Sequence, residues 1–112
     1  MKSDRVYLLD MLAAAQNIAI FMDALTAEAF ANDLRTVRAV AFELLAIGEA
    51  AKSVSRKMQR DLPQIPWGDL RLVRNTIAHE HFALNPYTLY RTAMREIPPI
   101  AEALRDVMGE GK

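Results

Sequence analysis

Residues 34–58 read LRTVRAVAFELLAIGEAAKSVSRKM, and this stretch decides the class of fold. Its apolar residues recur at three- and four-residue steps, which is the pattern of one broad face of an α-helix. We therefore predict a long helix from Leu34 to about Met58. Gly48 lies within the apolar face, where a glycine costs about 1 kcal/mol relative to alanine. Its presence indicates close approach of another backbone, such as a crossing helix.

Further helical segments flank this stretch on both sides. The first predicted helix is capped by Ser3, and the last begins at the cap-and-proline pair Asn85-Pro86. We predict helices over Asp4–Leu25, over the short turn Thr26–Phe30, from Trp67 to a point between His81 and Leu84, and from Pro86 onward, with a kink or interruption at Pro98-Pro99. The result is an all-α fold, an up-and-down bundle of four main helices. It spans residues 1–112 as one domain, with a frayed tail over 109–112.

The composition excludes several classes of protein. The 112 residues contain no cysteine, which rules out a disulfide scaffold and thiolate zinc sites. No apolar run approaches the about 20 residues that span a bilayer, and the N-terminus lacks the pattern of a signal peptide. We therefore expect a cytoplasmic protein without a membrane segment. Fourteen basic and fourteen acidic side chains cancel, so any nucleic-acid binding requires a local patch.

Residues 71–82, RLVRNTIAHEHF, carry most of the polar chemistry. On a helix, Arg71, Asn75 and His79 are successive i, i+4 neighbours and form one polar strip. Arg74 and His79 are separated by five positions, about 140° around the axis. They can serve one phosphate only through the reach of the arginine, through a helix that ends near His79, or through contributions from two subunits.

These residue types suit cleavage of RNA without a metal or other cofactor. An imidazole can take the proton of a ribose 2′-hydroxyl or protonate the leaving 5′-oxygen. A guanidinium can bind the scissile phosphate, and Asn75 can orient His79 or bind a phosphate oxygen. Two other readings exist. His79 can satisfy a helix end while Arg74 makes a surface salt bridge, or His79 and His81 can bind a transition metal, although no third ligand stands nearby.

Other residues have both a functional and a structural reading. Glu49 can pair with Arg74 or orient His79, or it can be a plain surface carboxylate. The basic residues of the second helix can track an RNA backbone together with Arg71, or they can complement the helix dipole in solvent; these are Lys52, Arg56, Lys57 and Arg60. Trp67 is expected to anchor the core or a helix start rather than stack on a base.

Five segments, in order and spacing, carry a likeness to a known family. They are Tyr7–Met11, Ile47–Lys52 (IGEAAK), Leu62–Trp67 (LPQIPW), Val73–His79 (VRNTIAH) and Ile97–Pro99. Together they cover nearly the whole chain, and the sequence resembles the HepT-like toxins of the HEPN superfamily.

The resemblance implies a homodimer in which the Arg-x4-His motifs of both subunits line one cleft. It implies a toxin with metal-independent endoribonuclease activity on transfer RNA or messenger RNA. By position, Arg74 is the phosphate-binding catalytic arginine, His79 the catalytic histidine, and Asn75 the polar residue that follows the arginine. The expected partner is a minimal nucleotidyltransferase antitoxin, which acts by binding or by transferring AMP to a tyrosine.

One position departs from the family pattern. The motif continues with a tyrosine two residues after the histidine, and here that position is His81. Three explanations fit this change: inhibition works by binding alone, AMP is transferred to Tyr87 or Tyr90 instead, or this chain is not regulated in that way. His81 itself either adds acid–base capacity or is a substituted surface residue. An alternative function is a non-catalytic module that partners a nucleotidyltransferase and binds nucleotide or RNA. A purely structural dimer leaves the motif of Arg74, Asn75 and His79 unexplained.

Overall fold

The computed structural model describes residues 3–80 and 84–109, and these residues contain helices and no strand. The helices are α1 Asp4–Met22, α2 Ala27–Ala31, α3 Leu34–Ser53, α4 Arg56–Asp61, α5 Trp67–Glu80, α6 Pro86–Arg91, a π-helical segment Thr92–Glu96, and α7 Ile97–Met108. The predicted all-α class is confirmed.

The core lies between the four longest helices. α3 packs against α1 on one side and α5 on the other, and α1 also packs against α7. The largest fully buried side chains come from these helices and from the segments between them, namely Met11, Ile18, Phe30, Val40, Leu44, Ile47, Ile65 and Leu104. This arrangement is the predicted bundle of four main helices, with shorter helical turns in the connections.

α1 is more apolar than the sequence argument allowed. By length and composition it could cross a membrane, with a mean hydropathy of 1.2 over its most apolar window. The helix is not an uninterrupted apolar run, because Asp10, Gln16 and Asn17 divide it; the expectation that no segment is apolar enough to span a bilayer was therefore wrong by this criterion. The helix carries seven buried residues toward the core, and core helices of globular proteins meet the same criterion.

The second long helix ends earlier than predicted. α3 stops at Ser53 and a separate helix, α4, begins at Arg56. The cause lies far away in the sequence, because the Asp4 carboxylate accepts hydrogen bonds from the Ser55 backbone N–H at 2.8 Å and from Ser55 Oγ at 2.7 Å. Ser55 then caps α4 by accepting a bond from the Met58 N–H. The prediction of one helix to Met58 was therefore wrong.

The last helical stretch is interrupted one turn before the prolines. Asn85 caps α6 as predicted, with Oδ1 accepting from the Tyr87 N–H at 2.9 Å. The π-helical segment over 92–96 follows, and Pro98 and Pro99 occupy the first turn of α7. Since proline has no N–H to bond the carbonyl four residues earlier, the preceding turn widens. The interruption was predicted, and its place is shifted toward the N-terminus.

The predicted ends of α5 and of the last helix both lie next to residues that the structure does not describe. α5 continues through Glu80, and residues 81–83 lie outside the described residues. Gly109 adopts φ 77°, the left-handed conformation that commonly ends a helix, and its N–H bonds the Asp106 carbonyl. Of the predicted tail over 109–112, the last three residues are likewise outside the described part of the chain.

Candidate active site

The candidate site is built where α3 crosses α5. Gly48 is buried at this crossing, and a Cβ atom at position 48 would lie 2.9 Å from Arg74 Cγ and 3.1 Å from the Leu70 carbonyl oxygen. Those distances are too short for a real side chain, so only glycine permits the approach. The close backbone contact predicted from Gly48 is confirmed, and it brings the base of the Arg74 side chain directly against α3.

Arg74 is held from two sides. Its Nε donates to Glu49 Oε1 at 2.6 Å, and its Nη1 donates to Asn75 Oδ1 at 3.0 Å. The Arg74 side chain is 27% exposed and that of Glu49 is 49% exposed. These two bonds use two of the five N–H donors of an arginine. The guanidinium is therefore fixed in direction while part of its edge still reaches solvent.

The predicted contact between Glu49 and Arg74 is thus present. It differs from an ordinary surface salt bridge, because the base of the Arg74 side chain packs against Gly48 and this contact fixes its position. Asn75 is half-buried and bonds the arginine. The catalytic roles of Arg74, Asn75 and Glu49 remain predictions.

His79 lies on a different face of α5 from Arg74. It is exposed and stands in the last turn of the helix. Because α5 continues to Glu80, a helix end before His79 does not turn its ring toward the arginine, and the two residues stay about 140° apart. Asn75 sits one turn before His79 on the polar strip and lies between the two residues in angle. The remaining ways to serve one phosphate are the reach of Arg74 and a contribution from a second subunit.

The basic residues are distributed over two places. Lys52, in the last turn of α3, and Arg71, on α5, line the same small crevice beside Gly48 and Trp67. Arg56 is exposed on α4, and Lys57 forms an i, i+4 ion pair with Asp61 at 3.0 Å.

That Lys52 and Arg71 line the same crevice was not predicted. The sequence holds one signal for it, the matched spacing on the two helices. Lys52 follows Glu49 by three residues and Arg71 precedes Arg74 by three, so two antiparallel helices that pair Glu49 with Arg74 also bring Lys52 near Arg71. That signal depends on knowing that Glu49 and Arg74 face each other. Trp67 is a half-buried anchor as predicted, with Nε1 donating to the Leu62 carbonyl at 3.0 Å.

The two candidate tyrosines differ in accessibility. The Tyr90 hydroxyl donates to the Leu25 carbonyl at 2.8 Å, and its ring packs on Phe30 at a centroid distance of 5.8 Å. Tyr87 is 53% exposed at the start of α6. His81 lies outside the described residues, and with it the predicted pair of histidines.

Comparison with known proteins settles the family. A family model described as Ribonuclease HepT-like matches residues 11–107, nearly the whole chain. The chain belongs to the HepT-like ribonuclease family. The match includes both helices of the Gly48 crossing and the complete segment from Arg71 to His79, so the resemblance inferred from the motifs is confirmed.

Individual relatives of the HepT-like family align over almost their full length. A protein of Thermococcus cleftensis named "Probable ribonuclease HepT" is 31% identical over 88% of this chain and 90% of its own. A provisionally named RNase of Methanocaldococcus jannaschii is 29% identical over 97% of this chain and 93% of its own. Another, from Caldanaerobacter subterraneus, is 26% identical over the whole of both chains. No solved structure shows a significant match.

Proposed function

We propose that this HepT-like protein is a metal-independent endoribonuclease and the toxin subunit of a toxin–antitoxin pair. The observation that carries the proposal is the state of Arg74, which is anchored by Glu49 and Asn75 at a crossing that only glycine permits. An arginine fixed before substrate arrives loses less freedom when it binds a phosphate. This is the preorganisation expected of a group that stabilises charge in a transition state.

In the proposed reaction, Arg74 binds the scissile phosphate and His79 moves the proton. The neutral imidazole takes the proton of the ribose 2′-hydroxyl, whose oxygen attacks phosphorus while the bond to the 5′-oxygen breaks. The products are a 2′,3′-cyclic phosphate and a 5′-hydroxyl, and the leaving 5′-oxygen receives the proton that His79 took up, which returns the imidazole to its neutral form. Arg74 offsets the charge that develops on the phosphoryl oxygens. These steps draw on protein groups alone.

A homodimer explains how Arg74 and His79 meet at one phosphate. The two side chains point about 140° apart on a single α5. Leu72 lies two turns before His79 on the same face and is 65% exposed. Leu72 also lines an apolar surface cavity together with Val73, Ile77, Leu84 and Leu89. Clustered apolar surface of this kind marks protein contact sites, which supports an interface beside His79. We place the partner subunit against this face.

The proposed antitoxin is a minimal nucleotidyltransferase that binds the dimer or transfers AMP to a tyrosine. Of the two tyrosines considered, Tyr87 is the better acceptor, because its side chain is exposed while the Tyr90 hydroxyl already donates to Leu25. The substrate is proposed to be a cellular RNA, transfer or messenger, and the compartment the cytoplasm.

The test is cleavage of total RNA by the purified dimer with a chelator present. Wild type should cut, and His79→Ala should lower the rate by about 100-fold or more, which is the usual contribution of a general acid–base group. Arg74→Ala should be similarly impaired, and both variants should keep their helical content by circular dichroism. Cleavage that disappears with EDTA contradicts the metal-free mechanism. Wild-type protein that binds RNA without cutting it favours the non-catalytic binding module.

A further inference from the structure

We infer that Lys52 and Arg71 form a second anion site, which holds the RNA phosphate next to the one bound by Arg74. The inference rests on the proposed ribonuclease function and names the part of the substrate that lies beside the cleavage point. It predicts that each subunit binds two successive phosphates of an RNA strand, one through Arg74 and the next through Lys52 and Arg71.

The position of the second site follows from how the two helices cross. Glu49 on α3 meets Arg74 on α5. One turn onward along α3 is Lys52, and one turn back along α5 is Arg71, and these two residues line one crevice together. The helices therefore run in opposite directions past each other and present matched pairs of side chains. The two pairs are separated by about 4.5 Å of helix rise, a step that flexible basic side chains span easily.

The charges at the two pairs differ. At the first pair, the carboxylate of Glu49 balances the guanidinium of Arg74. At the second, both side chains are cations, and neither forms an ion pair with any residue in the ranges 3–80 and 84–109. Two positive charges that share a crevice repel each other. The crevice itself has a volume of about 10 Å³, room for about one water molecule. An anion therefore binds at its mouth, where the exposed side chains of Lys52 and Arg71 both attract it.

The walls of the crevice contain nothing that competes for the cations as a charge. Besides the two basic residues it is lined by Gly48, Ala51, Gln59 and Trp67, none of which is acidic. The Gln59 amide nitrogen donates to the Val54 carbonyl at 3.0 Å, and the Trp67 ring nitrogen donates to Leu62. Both donors are thus committed to the backbone, and Lys52 and Arg71 are the charged residues of the crevice lining.

The proposed occupant is a phosphate of a nucleic-acid backbone. The chain has a net charge of +0, so its attraction to RNA must come from local cations rather than from the overall field. Lys52 and Arg71 are the exposed cations adjacent to the anchored arginine across the crossing. Phosphate contacts position a strand without reading its sequence, and this is what cleavage at a fixed point on a backbone requires.

The experiment measures binding of a 2′-O-methyl RNA oligonucleotide, which has no free 2′-hydroxyl and cannot be cut. Fluorescence anisotropy gives the Kd of wild type, Lys52→Ala, Arg71→Ala, the double variant and Arg91→Ala over a range of salt. Arg91 is the matched control, an exposed arginine that lines a different surface beside α2. Arg71→Ala should bind roughly 5- to 10-fold more weakly and reduce the slope of log K against log salt by about 0.7, the loss of one phosphate contact on a single strand.

The double variant distinguishes one shared site from diffuse attraction. If both side chains hold the same phosphate, the second substitution should add much less than the first, and the effects should be non-additive. Additive losses, losses no larger than that of Arg91→Ala, or wild-type protein that does not bind at low salt would each overturn the second site. Loss of binding at this site with no RNA cleavage by wild type would instead sustain the second site and contradict the proposed ribonuclease function.

Discussion

At the scale of single residues, the position of Arg74 depends on the absence of a side chain at position 48. Alanine there would bring a Cβ against the Arg74 side chain and the Leu70 carbonyl, and the carbonyl belongs to a helix backbone that cannot yield alone. Overpacking of this kind costs about 1–3 kcal/mol. It outweighs the gain of up to about 1 kcal/mol that alanine brings to a helix interior.

We therefore expect Gly48→Ala to lower the free energy of unfolding and to impair cleavage, because α5 must move and carry Arg74 with it. Urea denaturation measures the first effect and RNA cleavage the second. Gly68→Ala is the matched control, since a Cβ at position 68 meets open space and should leave stability equal or slightly higher. Equal stability of the Gly48 and Gly68 variants would contradict the tight crossing.

Glu49 is expected to act as a positioning residue for Arg74. Its removal frees the Nε of the arginine, which then samples other directions, and lost orientation lowers kcat more than it changes KM. Glu49→Ala should therefore reduce kcat by about 10-fold, the value of one hydrogen bond to a charged group. Glu49→Gln keeps an acceptor for Nε and should recover much of the rate.

Steady-state kinetics on a short RNA measures kcat and KM separately. Glu102→Ala is the control, because Glu102 is an exposed carboxylate on α7. Faster cleavage by Glu49→Ala would mean that the carboxylate competes with the phosphate for Arg74 instead of orienting the guanidinium.

At the scale of helices, the bond between Asp4 and Ser55 ties the start of α1 to the start of α4. The Ser55 hydroxyl, and secondly its backbone N–H, lower the pKa of the Asp4 carboxyl below its ordinary value of 3.8. Both donors stabilise the ionised form in the folded state. The contribution to stability is therefore fully present above the unfolded pKa, and it is lost as the pH falls through the lower folded pKa.

Asp4→Asn should accordingly destabilise the protein at pH 7, and the difference from wild type should shrink once the pH falls well below 3.8. Urea midpoints at pH 7 and at low pH measure this. Ser55→Ala in the Asp4→Asn background should add less than it does in wild type, because the two residues share the bond. A difference between wild type and Asp4→Asn that is constant with pH would contradict the linkage.

The same contact shows what sequence can and cannot predict about the elements. The caps at Ser3 and Asn85 were predictable because a capping side chain and the backbone N–H that donates to it lie within three residues of each other. The end of α3 was not, because the aspartate that competes for Ser55 is 51 residues away. The local signal at the break is Ser55, which caps α4 through the Met58 N–H. The apolar spacing of Val54 and Met58 continues the helical pattern past it and hides the break.

At the scale of the whole molecule, the sequence indicates which residues are candidates for the site, but it does not indicate how they are arranged in space. Gly48 indicated a crossing, and the motif made Arg74 and His79 the candidate residues, because both signals lie in local sequence. That Glu49 binds Arg74 was one of three readings, and only the packing of α3 on α5 decides among them. The presence of Lys52 and Arg71 in one crevice depends on the direction of that crossing, which sequence patterns leave open.

The separation of Arg74 from His79 leads to a prediction about the assembled protein. If each site takes Arg74 from one subunit and His79 from the other, two inactive variants should complement each other. In a two-fold dimer the composite site occurs twice. A mixed dimer of Arg74→Ala with His79→Ala then contains one site with both residues intact and one with neither.

Random exchange of equal amounts makes half of the dimers mixed, so the mixture should recover about a quarter of the wild-type cleavage rate, while each variant alone stays inactive. The two variants are refolded together from urea, and mixing without refolding controls for slow exchange. Leu72→Asp in both chains should abolish the recovery, because a buried charge on the His79 face opposes association. If the mixture stays as inactive as its components while mixed dimers are present, Arg74 must reach the phosphate held by His79 of its own chain.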